Sequence, residues 1–504
     1  MKPAGIVSKF LRITLRLIAD FLIVQTAMLA ALMLVALQLQ TSSEQSVRLG
    51  FADLRHYYLT LFLPLSILFP SFYALSGLYT TSRTYSKALA LRRAASTAAI
   101  GALGMLSASF LLPHSQTLPR LAALIFSTLV ILGTPGIRWL KHTLSEHEKA
   151  ERSATVPRGE MVLVVGGAGY IGSIVVRTLL KRGFRVRVLD SLVYGASAVE
   201  EVLDHPRLEF MRGDCRNIQD MVSAMRGAGA VIHLAAIVGD PACDQDHKIA
   251  QEINYAATRM MIEIAKGEQV QRFIFASSCS VYGASEQVMD ENSQVHPISL
   301  YADTKVDSER VLLAAANGSF HPTVLRFATI FGLSPRPRFD LVVNLLTAKA
   351  LKERVITIYN GEQWRPFLHV ADAASAIMRV LEAPVALVGG QIYNVGDSRL
   401  NYTLTDVAAK LVKFFPNTRV EHIENTDRRS YRVSFEKIKG HLGFTCNKSL
   451  DDGIYEIKAA FESGQISDYG AALYSNVKYL KQHGSPLQTD LLGSQVMAAL
   501  VQKA

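Results

Sequence analysis

Apolar positions along this chain come in two patterns, and the pattern changes near residue 160. Before it, long uncharged stretches alternate with short basic ones. Four stretches carry no Asp, Glu, Lys or Arg: 21–43, 56–82, 94–119 and 121–137. A helix rising about 1.5 Å per residue needs about 20 apolar residues to cross roughly 30 Å of hydrocarbon. The pattern therefore predicts an all-α transmembrane domain of about four helices over 1–141. Thr97-xxx-Gly101 and Gly104-xxx-Ala108 in the third stretch are small-residue spacings that let membrane helices approach closely. Interfacial helices or a buried helical hairpin stay open as the alternative for the last two stretches.

After a charged, turn-rich linker over 142–158, short β-branched runs alternate with helical ones: 161–165, 185–189, 230–235, 272–276 and 323–327. Such alternation predicts an α/β chain, a parallel sheet covered by helices on both faces.

Charge refines the first domain. The chain has 53 Lys and Arg against 43 Asp and Glu, net +10. Residues 1–150 hold 14 basic and 5 acidic residues (net +9), leaving 39 and 38 (net +1) for the remaining 354. The basicity thus belongs to the apolar region, and nucleic acid is not an expected partner. Lys2, Lys9, Arg12 and Arg16 precede the first stretch. Arg83, Lys87, Arg92 and Arg93 separate the second from the third, and Arg138, Lys141, Lys149 and Arg152 follow the fourth. The other connections hold Arg48, Arg55 and Arg120. Positive charge on cytoplasmic loops then places both termini inside, in a multi-pass protein of the inner (cytoplasmic) membrane with a cytoplasmic α/β region. Asp20 reads as interfacial. The four cysteines, 215, 243, 279 and 446, form neither a disulfide framework nor a metal-ligand spacing, so no metal is expected.

The candidate chemistry begins at "MVLVVGGAGYIGS", where Gly166, Gly169 and Gly172 follow an apolar strand and open a helix. Glycines there permit a tight turn and let backbone N–H groups approach a pyrophosphate at the helix N-terminus. A second strand ends in Asp190, 18 residues past Gly172, where a carboxylate can bind an adenosine ribose; it favours NAD over NADP by repelling a 2′-phosphate. Downstream, Tyr301-Ala-Asp-Thr-Lys305 sets a phenol and an ammonium on one helical face. That pairing favours the phenolate, as a general base near neutral pH requires.

The order of these motifs resembles the extended short-chain dehydrogenase/reductase family, in particular its NAD-dependent nucleotide-sugar epimerases and dehydratases. The resemblance covers about 160–460. It rests on the glycine loop, Asp190, "GDCRN" around Asp214, "HLAA" at 233–236, Asn254, "SSCSVYG", Tyr301 with Lys305, "LRFATIFG" and "RPFLHV". It implies a Rossmann-type doubly wound sheet, with an NAD-binding domain over 159–330 and a smaller substrate-binding subdomain with C-terminal helices over 331–504. NAD is then expected on Gly166, Gly169, Tyr170, Ile171, Gly172, Asp190, Asp214, His233, Leu234, Ala235, Ala236, Asn254, Tyr301 and Lys305. Ser278 and Tyr301 act on the sugar oxygen, and Lys305 holds the nicotinamide ribose. Arg365 binds the nucleotide diphosphate, and Arg429 of "DRRSYR" is a further substrate contact. The family's habit of pairing helices implies a homodimer.

The resemblance also carries departures. Dehydratases of the family place Asp-Glu after the hydroxyl residue, where this chain has Cys279 and Ser280. Cys279 reads as a small, inert, buried thiol, with a proton-transfer group as the alternative. C4 epimerisation through a transient 4-keto sugar is the expected reaction. Thr329 stands where many C4 epimerases have Asn. Dehydratase, reductase, decarboxylase and C3/C5 epimerase activities remain alternatives, as does a non-enzymatic scaffold binding nucleotide sugars. "SPRPRFD" at 334–340 reads equally as a border of the sugar site or a surface loop. The leader "SFYALSGLY" looks like that of polysaccharide-biosynthesis enzymes, implying surface-glycan synthesis beside membrane glycosyltransferases.

Overall fold

A computed structural model describes residues 4–41, 51–76, 87–111, 120–152, 160–426, 429–484 and 491–502. The chain divides into two compact units, Met1–Lys149 and Ala150–Ala504.

The first unit holds four helices: α1 (Ala4–Thr41), α2 (Phe51–Leu75), α3 (Lys87–Leu111) and α4 (Arg120–Arg152). They correspond to the four uncharged stretches; positions 42–43, 77–82 and 112–119 of those stretches lie outside the described residues. Segments Leu17–Leu37, Ala94–Leu111 and Arg120–Ile137 are long and apolar enough to cross a membrane. The helices pack through a dry stripe of Val24, Met28, Leu32, Phe69, Phe126 and Val130. A Cβ at Gly101 would stand 2.7 Å from the Phe69 ring, so the small residue there sets the approach of α3 to α2. Gly104 has no such neighbour and faces open space. Asp20 is 3% exposed, inside the apolar segment.

Helix α4 runs through the first part of the expected linker. Glu146, Glu148, Lys149 and Glu151 are good helix formers, so high charge there did not mean loss of helix.

In the second unit, strands β1 (Met161–Val165), β2 (Arg185–Asp190), β3 (Leu208–Arg212), β4 (Ala228–His233), β5 (Arg272–Ser278), β6 (His321–Phe327) and β7 (Gln391–Val395) form one sheet. Its order is β7-β6-β5-β4-β1-β2-β3 and every pairing is parallel. The chain winds outward from β1 through β2 to β3, then returns to β4 on the other side of β1. Ligands of open α/β sheets bind outside the carboxyl ends of the strands at such a reversal. Two apolar layers cover the sheet. Val162, Val164, Val175, Val188 and Ile274 belong to one, and Leu163, Val231, Phe273, Met261 and Leu312 to the other. Strand β1 is buried at all five positions, which is why it reads as an unbroken apolar run.

Three helices matter for the site: α5 (Gly172–Lys181), α6 (Ala257–Gly267) and α7 (Leu300–Ala314). Ser299 caps α7 by accepting from Ala302 N. The C-terminal helix α8 (Leu491–Gln502) packs on α6, with Met497 fully buried and Arg259 donating to the Leu500 carbonyl. Beyond β6 the chain builds a second lobe. A three-stranded sheet pairs Trp364–His369 with Thr329–Phe331 and Asn401–Thr403, and Arg419–Ile423 pairs with Val355–Tyr359.

Candidate active site

A cavity of about 580 Å³ opens at the strand reversal. Its walls hold Gly166, Gly169, Tyr170, Ile171, Gly172, Asp190, Asp214, Leu234, Ala235, Ala236, Ser278, Tyr301, Lys305, Arg365 and Arg429.

The glycine loop forms one end. Gly166 has φ +87°, a region costly for any residue with a Cβ, and a Cβ there would lie 2.7 Å from Ala235 N. At Gly172 a Cβ would meet the Gly166 carbonyl oxygen at 2.1 Å. The loop therefore folds flat over the start of α5, leaving a helix N-terminus open to an anion. A dinucleotide pyrophosphate fits this cradle. Asp190, at the end of β2, accepts from Ala168 N (2.9 Å) and Leu192 N (2.8 Å). Burial raises its pKa, and those two backbone bonds oppose the rise. Asp214 is paired with Arg216 at 2.7 Å, and Arg216, itself 1% exposed, reaches Glu252 at 3.1 Å.

Asn254, expected against the cofactor, does not line the cavity; this corrects the sequence reading. Its side chain accepts from Ile237 N (2.8 Å) and donates to Ile237 O (3.0 Å), clamping the segment after β4 whose Leu234–Ala236 form the wall. His233, at the end of β4, is not on that wall either. It is buried, bonds Thr258 through Nε2 at 3.1 Å, and is held down to about 3 by burial and then by Lys305, so it stays neutral.

The other end holds the hydroxyls. Strand β5 runs out at Ser278, whose Oγ accepts from the backbone N (3.1 Å) and the hydroxyl (2.9 Å) of Ser280. Tyr301 on α7 stands near Ser278, which favours its phenolate. One turn on, Lys305 Nζ donates to the Ala276 carbonyl (2.8 Å) and lies 5.7 Å from the Tyr301 ring centre. The ammonium does sit beside the ring, but the expected depression of the phenol does not follow. Burial pushes Tyr301 up, outweighing Arg338 and Ser278. Cys279 points away from the cavity, donating to the Arg326 carbonyl at 3.2 Å, and burial pushes its thiol up.

Behind these groups lies a buried charged network. Glu309, two turns past Tyr301 on α7, accepts from Ser277 and receives Arg326 in a fork at 2.6 and 3.0 Å. Arg326 also donates to Tyr282 at 2.9 Å, and Tyr282 to Asn394 at 2.8 Å.

Burial lowers Lys305 from its ordinary 10.5 to about 8. Folding thus penalises the protonated lysine: between about pH 8 and 10.5 the unfolded chain holds a proton that the folded chain has released. Stability from this group is lowest below pH 8 and rises as pH climbs through that window. Lys305→Met escapes the penalty and is expected to be more stable than the parent by about 2 kcal/mol at pH 7, after loss of the Ala276 bond. The gap should narrow by pH 9.5. Denaturant titrations at the two pH values check it, and a gap independent of pH would refute the lysine's burial cost.

Several wall residues were not picked out as site residues. The Pro/Arg-rich loop is no surface loop: Ser334, Arg336, Arg338 and Phe339 are all buried. Arg338 forks onto Asp340 at 2.9 and 3.0 Å, and Arg336 and Arg338 line the cavity. Asp240, in the segment after β4, pairs with Arg429 across the cavity wall. Arg429 also offers its carbonyl to Arg365, whose Nη2 bonds Gln363 at 3.0 Å. Arg428 lies outside the described residues, and Arg432 turns to the Glu286 carbonyl.

Comparison with known proteins bears on what this cavity takes. Residues 162–396 match the model of the NAD dependent epimerase/dehydratase family. Over 246 residues the chain is 30% identical to an uncharacterized UDP-glucose epimerase of Bacillus subtilis, covering 47% of this chain and 76% of that one. It is 29% identical over 311 residues to a dTDP-glucose 4,6-dehydratase of Streptomyces niveus, covering 58% and 90%. The solved structure of MoeE5 with UDP-glucose and NAD is similar with a TM-score of 0.53 at 29% identity, covering 60% of this chain and 99% of that one.

Proposed function

Because the chain belongs to the NAD-dependent epimerase/dehydratase family, we propose that it epimerises a nucleotide-diphosphate sugar at C4 through a transient 4-keto sugar. One observation carries the reading. Ser278, Tyr301 and Lys305 share a cavity with a glycine cradle for NAD, while Cys279 is buried out of it and Ser280 is a hydroxyl. The acid and base that expel water in the dehydratases are thus missing from their usual places.

NAD, when bound, supplies the hydride acceptor and then the donor for the sugar carbon. Tyr301 takes the proton of the hydroxyl on that carbon and returns it at the end, with Ser278 holding the same oxygen. Burial holds the phenol high, so its activation requires positive charge close by. Lys305 and Arg338 are the cations that face it. Arg365 and Arg429 hold the diphosphate, each guanidinium able to fork onto two oxygens. Inversion at C4 would need the cavity to let the keto sugar turn over, and such a reaction consumes no redox equivalent overall.

Asp240 favours a second reading. It is a carboxylate on the same wall and its charge acts on Tyr301, which suits elimination of water from the keto sugar. Its pairing with Arg429 is the reason to rank it second.

The apolar helices of the first unit and the basic residues flanking them support a multi-pass protein of the inner membrane with its enzyme unit in the cytoplasm. Tethering of this kind concentrates an activated sugar near lipid-linked acceptors and membrane glycosyltransferases, consistent with supply of a surface polysaccharide.

The test is incubation of the purified chain with UDP-, GDP-, dTDP- and CDP-sugars in D2O, with products read by mass spectrometry and NMR. Inversion at C4 without deuterium is the expected outcome. Loss of water, or deuterium at C3 or C5, would overturn the epimerase in favour of Asp240 chemistry.

A further inference from the structure

The adenosine side of the cavity contains donors with nothing to donate to. Tyr194 follows Asp190 by four residues, in the loop leaving β2, and its ring carries the Arg336 guanidinium 3.7 Å above its centre. Arg336 is 6% exposed. Its Nη2 donates to Asn476 Oδ1 at 2.7 Å, while its Nε is buried with no hydrogen-bond partner among the described residues. The Tyr194 hydroxyl is likewise buried and without a partner. Asp190, Tyr194, Arg336 and Asn476 all line the cavity. An orphaned buried donor costs the free energy of its lost hydration, and a charged one more. Two such donors side by side on the wall of a ligand cavity would be satisfied by an acceptor that arrives with the ligand.

We propose that Arg336 and Tyr194 are cofactor contacts, donating to ribose and phosphate oxygens on the adenosine side of bound NAD. The inference rests on NAD as the cofactor, not on the sugar chemistry. Asp190 and Arg336 present opposite charges to the same cofactor end. The carboxylate accepts from ribose hydroxyls and the guanidinium donates to anionic oxygens. Burial holds Arg336 down to about 10, still far above neutrality, so the cation persists there. Asn476 is a positioning residue. It fixes Arg336 through its amide, and its backbone N donates to Asp340 at 2.9 Å, the carboxylate that also holds Arg338. The C-terminal region thereby becomes part of the cofactor seat.

The test measures NAD bound to the purified full-length chain, and separately UDP as a probe of the substrate end. Arg336→Met keeps the side-chain length without the donors. It is expected to weaken NAD about tenfold or more while UDP affinity stays within twofold. Tyr194→Phe removes the hydroxyl and preserves the ring under the guanidinium, so it guards against a folding artefact; a threefold to tenfold loss of NAD is expected. Unchanged NAD affinity in a folded Tyr194→Phe and Arg336→Met pair overturns the proposal. So does a loss confined to UDP, which would make Arg336 a substrate contact. Either result leaves the epimerase assignment untouched, because product analysis tests that separately.

Discussion

Tyr301→Phe should leave a folded chain that still carries NAD and still binds UDP, and whose conversion of nucleotide sugar falls by about 10²- to 10⁴-fold. That range is what removal of a positioned general base costs. The ring of Tyr301 packs in the apolar layer with Leu300 and Val311, and phenylalanine preserves that packing. Only the oxygen leaves, and with it the group proposed to take the proton of the sugar hydroxyl. The measurement is a single-turnover rate with NAD content determined on the same sample. Loss of NAD together with activity would make Tyr301 a cofactor contact first. Retained conversion would remove it from the chemistry and favour a role in binding alone.

Glu309→Ala is expected to cost about 3–5 kcal/mol of stability. The reason is what it leaves behind. Arg326 is 4% exposed and, among the described residues, makes its charged fork with Glu309 alone, so truncation strands a buried cation. Ser277, next to Ser278, loses its acceptor as well. Replacing both partners, Glu309→Leu with Arg326→Met, removes the stranded charge and should recover most of the loss. The denaturation midpoint of each variant decides it. A Glu309→Ala chain as stable as the parent would mean that Arg326 finds water or another partner, and the network would not be what holds α7 against β5.

Much of this was legible in the chain, and the parts that were not share a cause. Strands β1, β4 and β5 are flanked on both faces, so their apolar runs are continuous and stand out. Strand β3 escaped because it is the edge of the sheet: Glu209 and Arg212 are exposed and break the run. The glycine loop, Ser278, Tyr301 with Lys305, and Arg365 each belong to a short motif, and the structure brings them to one cavity. What failed depends on pairs far apart in sequence. Asn254 stood in a recognisable motif, yet its role as a clamp exists only through Ile237, 17 residues back. The Pro/Arg loop stays open between a site border and a surface loop in sequence because buried arginines are rare, and the contact that helps bury it is with Asn476, 140 residues beyond Arg336. Asp240 meets Arg429 over a separation of 189 residues, which no local pattern announces.

The loop from Gly332 to Asp340 touches both ends of the cavity at once. Tyr170 of the glycine loop donates to the Gly332 carbonyl at 2.6 Å, Asn344 donates to that carbonyl and to that of Arg338, and Arg338 lies beneath Tyr170. A chain so tied cannot alter one end in isolation. A substitution that reshapes the sugar end will shift the seat of the dinucleotide, so a lineage acquiring a new sugar must reconcile two selections in one short segment. Divergence in substrate preference should therefore come more readily through Arg365, Arg429 and their lobe than through this loop.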